Sequence, residues 1–469
     1  MSWQEARFVL GFGLFHGWLI TLITYTAAPP LGGGGPLPST LFVLGGGMAS
    51  ALAFIVATPP RLALLRHAGD WLLVLAVCLV FTVHLAPSPT IALACCLTCG
   101  LLCGMLHCLY GLASLAFPKR EFARIIALAT VVASLIAIGA SVIAKSESAI
   151  GQAVALAALP LSAAFILKST PSAPASRENV PQRQLNERPE RLETRFARLL
   201  LAVLLFGIVC RTCDVFSTAR FTGLAASSIV MFAGHIVAAG LLIALLHLMR
   251  RRAGLALLYR FVLPCAGAGF IILAFPGTAV LAISLGAVFL IGAGFEVINL
   301  VAWVLTSFAA QISARPSRYF GLYALITYLA MLAGRLVNLA ILPYAAAHTA
   351  FLGLICIVAL VVVALVILPE DQVILFEESL RLSEEEKAAG DARWARCLVF
   401  ANAHGLTERE TEVLDLLVRG RTLKVVAERL TISKGTAGTH IANIYRKCDV
   451  HAQQDLIDQF EEFSSQGRP

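Results

Sequence analysis

Along most of the chain, long apolar runs alternate with short polar breaks. The runs lie near residues 7 to 27, 39 to 58, 71 to 86, 91 to 116, 122 to 144, 149 to 168, 197 to 216, 223 to 249, 256 to 275, 279 to 309, 320 to 342 and 346 to 368. Most are about twenty residues long, enough for a helix to cross the hydrocarbon core of a bilayer. The pattern therefore predicts about twelve membrane spans. Near residue 404 it changes to apolar positions at helical spacing set among charges. Thr407, followed three residues later by Glu410, has the capping-box form of a helix start, and Val413, Leu414 and Leu417 line one face of that helix. Gly420 stops it, Thr422 stands before a second helix ending at Leu430, and Ser433 caps a third. On the third helix Ala437, Ile441, Ile444 and Cys448 form one buried stripe, leaving Lys434, Gly438, Thr439, Ala442, Asn443 and Arg446 outward.

Composition fixes the class. At 58% hydrophobic and 14% charged residues, an ordinary soluble globule is excluded. With both termini inside, the basic residues fall in the inner loops: Arg61 and Arg66; Lys119, Arg120 and Arg124; Arg250, Arg251 and Arg252; Arg315 and Arg318. The outer loops are nearly bare of Lys and Arg, Lys145 and Arg220 excepted. The first run begins almost at Met1 and lacks a cleavage site, so the first helix is expected to remain in the mature protein. Cys95, Cys99 and Cys103 share a face with Gly100 and Gly104, the small-residue pattern of a close helix contact.

From Arg419 to Lys447 there are seven basic residues against one acid, Glu428, a cluster suited to neutralising phosphates. The gapped run that includes Leu406, Thr407, Arg409, Glu410, Val413, Leu414, Gly420, Ala427, Leu430, Ser433, Thr436, Thr439, His440, Asn443, Ile444, Tyr445, Lys447 and Val450 resembles the LuxR/GerE-type helix-turn-helix of bacterial transcription regulators. The resemblance covers about the last seventh of the chain. It implies a DNA-binding set of Arg421, Lys424, Ser433, Lys434, Thr436, Thr439, His440, Asn443, Arg446 and Lys447, with His440 packing or touching a phosphate. Where the family usually has Val-Lys before the Thr-His pair, this chain has Ala437-Gly438, which removes a DNA-contacting lysine. The family's habits imply a homodimer on promoter DNA, RNA polymerase as a further partner, and a dimer contact from Leu456, Ile457 and Phe460.

A polar linker, residues 169 to 195 with Pro171, Pro174, Pro181 and Pro189, splits the spans into two sets of six. Two six-helix halves joined by a long cytoplasmic loop resemble the major facilitator superfamily. The loop after the second span keeps arginines but lacks the acid of that family's signature, so the expectation is a scaffold reused as a receptor. Such a scaffold places a ligand between the halves, where ionisable residues inside spans mark candidate positions. These are His16, His107, Arg211, Asp214, Glu296, Asn299, Trp303 and Arg335. The competing role for Glu296 is an ion pair with Arg335 or Arg211 that locks the halves together. His84, His235 and His247 are too scattered along the chain to form a metal site.

The expected fold is all-α, a polytopic membrane bundle of two six-helix halves followed by a small cytoplasmic four-helix LuxR-type unit. Its expected parts are residues 1–168, the linker 169–195, residues 196–368, an acidic connector 369–403 and the helix-turn-helix 404–463. From Glu370 to Arg396 eight acids face four bases; the connector is expected to be a solvated helix, or one that competes with DNA for the basic face. No P-loop, receiver domain or nucleophile–base–orienter set occurs, so neither catalysis nor a cofactor or metal is expected. The expected protein is a one-component regulator in the bacterial inner membrane with both termini cytoplasmic. Its partners are the lipid bilayer, promoter DNA and a small-molecule ligand; a transporter with a regulatory helix-turn-helix is the alternative.

Overall fold

The computed structural model describes residues 2–25, 37–56, 89–117, 119–143, 189–220, 224–248, 254–274, 281–313, 315–341, 344, 348–363, 390 and 392–466, and no strand occurs among them. The chain divides into two compact units, Met1–Leu380 and Arg381–Pro469.

The first unit contains α1 (Trp3–Tyr25), α2 (Leu37–Val56), α3 (Pro89–Ser114), α4 (Lys119–Ile143), α5 (Pro189–Arg220), α6 (Leu224–Leu248), α7 (Gly254–Ala274), α8 (Leu281–Ile312), α9 (Pro316–Ile341) and α10 (Thr349–Val362). These correspond in order to the expected spans one, two, four, five and seven to twelve. The expected spans at 71–86 and 149–168 lie outside the described residues. Among the described residues, five stretches, including Glu121–Val142, Ser227–His247 and Leu281–Gln311, are long and apolar enough to cross a membrane. Helix α5 starts at Pro189, inside the expected linker. A proline in the first turn costs no hydrogen bond, so the helix begins there and carries the linker's last residues.

The packing repeats between halves. In each half the second expected span packs on the fourth: α2 on α3, and α6 on α8. Both contacts are glycine-mediated. A Cβ on Gly100 would lie 2.1 Å from the Val43 carbonyl oxygen, and one on Gly46 would lie 2.3 Å from that of Leu97. On the other side, Gly234 meets the Phe289 carbonyl and Gly292 that of Met231, at 2.4 and 2.5 Å. Without side chains the backbones approach closely, and dispersion then accumulates along the contact, a mode suited to lipid. Between the halves, α2 packs on α9 and α4 on α6, so the second and fifth spans of one half meet the fifth and second of the other. That reciprocity is a two-fold arrangement, and it leaves α1, α3 and α8 to face one another around a central space.

The second unit has its own core. Helices α11 (392–404), α12 (Glu408–Leu417), α13 (Leu423–Leu430), α14 (Lys434–Cys448) and α15 (Gln453–Gln466) enclose Cys397, Phe400, Val413, Leu414, Leu417, Val426, Ala437, Ile444, Cys448, Leu456 and Phe460. Two expectations need correction. The end of the expected connector is α11, which adds Cys397 and Phe400 to the core and makes a fifth helix. Arg393 on α11 pairs with Asp415 on α12 at 3.3 Å, and Arg419 holds the same carboxylate. Of the expected dimer residues, Leu456 and Phe460 are 0% and 5% exposed and belong to the unit's own core, while Ile457 is partly exposed. Residues 370–389 of the acidic connector lie outside the described residues.

Candidate functional site

In the C-terminal unit the caps are built as the spacing requires. Thr407 N donates to Glu410 Oε2 at 2.8 Å and Glu410 N donates to Thr407 Oγ1 at 3.3 Å, closing the capping box of α12. Gly420 after it has φ +70°, a conformation that L side chains rarely adopt. Thr422 occupies the N-cap of α13 but makes no side-chain cap bond, so that helix starts without the expected hydroxyl. Ser433 Oγ accepts from Thr436 N at 3.0 Å at the start of α14. The turn between the two helices is made by Thr431 in the left-handed region, φ 55°.

With Ala437, Ile444 and Cys448 buried and Ile441 partly so, α14 turns Lys434, Thr436, Thr439 and Arg446 outward, and Lys424 and Ser433 are exposed beside it. Arg421, His440 and Asn443 are partly exposed, and Arg446 donates to Asn443 Oδ1 at 3.3 Å. Lys447 behaves differently. Its Nζ donates to Glu410 Oε2 at 2.7 Å and to the Gly405 carbonyl at 2.9 Å, which ties the end of α14 to the start of α12. Lys447 thus holds the fold together through a partly exposed ion pair, in addition to standing in the expected DNA-binding set. Burial alone would raise the Glu410 carboxyl, but hydrogen bonds from Lys447 and Thr407 outweigh it and hold the group below its ordinary 4.5. Burial pushes the Cys397 thiol up to about 12 and that of Cys448 to about 11, so both are core groups rather than nucleophiles.

Gly438 sits on the partly exposed side of α14, where an added Cβ would meet only Leu423 Cδ1 at 3.8 Å. Gly438→Ala is therefore expected to stabilise the unit by about 1 kcal/mol, read as a raised denaturation midpoint. Gly438→Lys is expected to tighten DNA binding and to make the slope of log K against log salt more negative by about 1. An unchanged slope would show that this position faces away from phosphate.

In the membrane unit a cavity holds about 1050 Å³ of space free of protein atoms, its opening included. His16 of α1, His107 of α3, Thr130 of α4, His235 of α6, Glu296, Asn299 and Trp303 of α8, and Tyr323, Thr327 and Tyr328 of α9 all contribute to its lining. Five of the eight expected residues thus share one space. Arg335 is partly exposed on α9 and is not in the lining; the side chains of Arg211 and Asp214 lie outside the described set. Glu296, 3% exposed, is held by His235 Nδ1 at 3.4 Å, by the Thr130 hydroxyl at 3.0 Å and by Asn299 Nδ2 at 3.5 Å. Among the described residues the charged partner at Glu296 is thus His235, from the next helix but one in sequence, and not Arg335. Asn299 Oδ1 in turn accepts from Tyr323 Oη at 2.9 Å. Thr130 belongs to the first half and Glu296 to the second, so this network joins them. Trp303 stacks on the His107 ring at 5.1 Å with planes 10° apart.

Sequence reasoning names His235 only to set it aside as a metal ligand, and does not single out Thr130 or Tyr323. Ionisable residues near the expected mid-membrane are the signal it rests on, whereas a hydroxyl in a span, which also needs a partner, would have pointed to Thr130 and Tyr323. His235 is 61 residues from Glu296 in sequence, and only the packing of α6 on α8 brings them together.

Comparison with known proteins covers the two units separately. Residues 404–460 match the family model of bacterial regulatory proteins, luxR family. The spore germination protein GerE of Bacillus subtilis is 40% identical over 52 residues, which are 11% of this chain and 70% of that protein. The uncharacterised response regulatory protein YgeK of Escherichia coli is 41% identical over 58 residues, 12% of this chain, but the match spans only 40% of YgeK's length. The membrane unit is similar in fold to a bacterial homologue of the iron transporter ferroportin in an outward-facing state, with TM-score 0.58 and 13% identity, covering 79% of this chain and all of that one. It is likewise similar to the major facilitator proton:xylose symporter XylE, with TM-score 0.56 and 14% identity over 80% of this chain and 98% of that one. At these identities the likeness shows the fold alone. The chain belongs, through residues 404–460, to the LuxR/GerE family of bacterial regulatory proteins, here joined to a helical unit of major facilitator fold.

Proposed function

We propose that this protein is a membrane-bound one-component transcription regulator: the cavity of the membrane unit senses a small molecule and the C-terminal unit binds promoter DNA as a homodimer. The observation that carries this reading is the outward face of α14, where Lys434, Thr436, Thr439 and Arg446 stand exposed on a helix whose other side is core. A helix presented in this way fits the major groove, with Lys424, Arg421 and His440 placed for the flanking phosphates. On this reading His16, His107, Glu296, Asn299 and Trp303 are the ligand-facing residues, and the Thr130–Glu296 hydrogen bond is the inter-half link that a ligand would disturb. Both termini lie in the cytoplasm, where DNA is, and RNA polymerase is the downstream partner.

Genome-wide crosslinking and immunoprecipitation of the intact protein tests this. Discrete promoter peaks are expected, and an Asn443→Ala, Arg446→Ala variant at the same membrane level is expected to lose them. Peaks that persist in the variant would remove α14 from the reading role. The competing reading, a transporter with a regulatory helix-turn-helix, is favoured by the fold likeness and predicts net uptake of whatever compound changes promoter occupancy.

A further inference from the structure

We propose that His16 and His107 together bind a late first-row divalent metal ion, of the zinc and copper class, on the first-half wall of the cavity. The site lies in the cavity assigned above to sensing, but its test does not depend on transcription. His107 is 3% exposed, and neither of its ring nitrogens meets a hydrogen-bond partner in the protein; Nδ1 of His16 is also buried and bare. A buried polar group left unpaired costs about 1–3 kcal/mol, and both rings line the same cavity, so an occupant that pairs with one nitrogen of each ring would relieve that cost. The other described cavity histidine, His235, already engages Glu296.

The geometry suits a shared ion. With a metal–nitrogen distance near 2.0–2.1 Å, a coordinated imidazole has its ring centre about 3.2 Å from the metal. Two such rings are then about 5.2 Å apart at a tetrahedral angle and about 6.4 Å apart when linear. The observed separation of the His16 and His107 ring centres is 5.5 Å, with planes 59° apart. Neighbouring rings fix these orientations: Trp303 stacks on His107, and Phe12 lies 4.8 Å from His16. Imidazole nitrogen suits zinc and copper, whereas calcium and magnesium require oxygen. Among the described residues no group of three or more His, Cys, Asp or Glu could hold an ion. Two protein ligands therefore leave positions open towards the cavity, filled by water or by a small donor molecule, which marks an exchangeable site rather than a structural one.

The test uses the intact, tag-free protein in lipid nanodiscs, with Zn²⁺ affinity measured against a chelator and Cu²⁺ bound as a spectroscopic probe. One equivalent is expected, with two imidazole nitrogens in the Cu²⁺ paramagnetic resonance spectrum. His16→Phe and His107→Phe are each expected to weaken Zn²⁺ binding at least tenfold and to leave one nitrogen coupled. Should the buried His107→Phe variant fail to fold, the half-buried His16→Phe carries the same comparison. A double variant that binds as tightly as the parent, or a parent spectrum without imidazole coupling, would overturn the proposal. Promoter occupancy is read separately, so a failure of the regulator reading leaves the metal result intact, and the reverse.

Discussion

Gly100→Val is expected to abolish the folded membrane unit, while Gly45→Ala on the facing helix leaves it intact. At Gly100 a Cβ would fall 2.1 Å from the Val43 carbonyl oxygen and 2.9 Å from the Val43 Cα, both backbone atoms that no rotamer change can move. Real Cβ atoms do not approach below about 3 Å, so α2 and α3 must part by most of an ångström along their whole contact. Separation at Gly100 also breaks the neighbouring fits of Gly46 on Leu97 and of Gly104 on Gly47. Overpacking a core costs about 1–3 kcal/mol; a wedge between two backbones, in a bilayer where packing is the main attraction between helices, should reach or exceed the upper end. Gly45, on α2, has nothing within 4 Å of its Cβ position and serves as the control. The measurement is the amount of protein in the membrane together with its thermal melting in detergent. Equal melting of the Gly100→Val variant and the parent would mean that α2 and α3 do not pack as described.

The glycines at this contact were legible before any coordinates, because Gly100 and Gly104 fall four apart in an apolar run and small residues at that spacing have one common use in lipid. The buried stripe of α14 was equally legible: Ala437, Ile444 and Cys448 are 0%, 0% and 2% exposed, as their spacing requires. What periodicity could not reach was anything set by contacts between distant segments. The partner of Glu296 depends on which helix stands beside α8, a matter of topology, and an arginine looked the stronger candidate only by its charge. The apolar positions of α15 show a related limit. Leu456 and Phe460 mark a helix with one apolar face, but a period of 3.6 does not say whether that face meets a second copy or its own domain. In this chain Phe400 of α11 packs edge-on against Phe460 and Phe463 and so supplies part of the surface that covers it.

The same limit explains Lys447. A lysine near the end of a recognition helix reads as a phosphate contact by residue type, yet its ammonium is taken by Glu410 and by the Gly405 carbonyl. Its removal should therefore act on folding before it acts on DNA. Lys447→Met is expected to destabilise the C-terminal unit by about 3 kcal/mol, because it leaves the carboxylate of Glu410, 4% exposed as a residue, without its cation. The loss should be read from urea unfolding of residues 381–469, a unit with a core of its own. The pH dependence identifies the cause. In the folded parent the Glu410 carboxyl lies below 4.5, so its ion pair contributes stability that is fully present above the unfolded value and is lost as pH falls through the lower, folded one. The stability gap between parent and Lys447→Met should then be largest near neutrality and close as the pH drops below about 4.5. A gap that stays constant down to acid would assign the loss to the lysine's packing and to its bond with Gly405. A variant as stable as the parent that nonetheless loses DNA affinity would return Lys447 to the phosphate-contacting set.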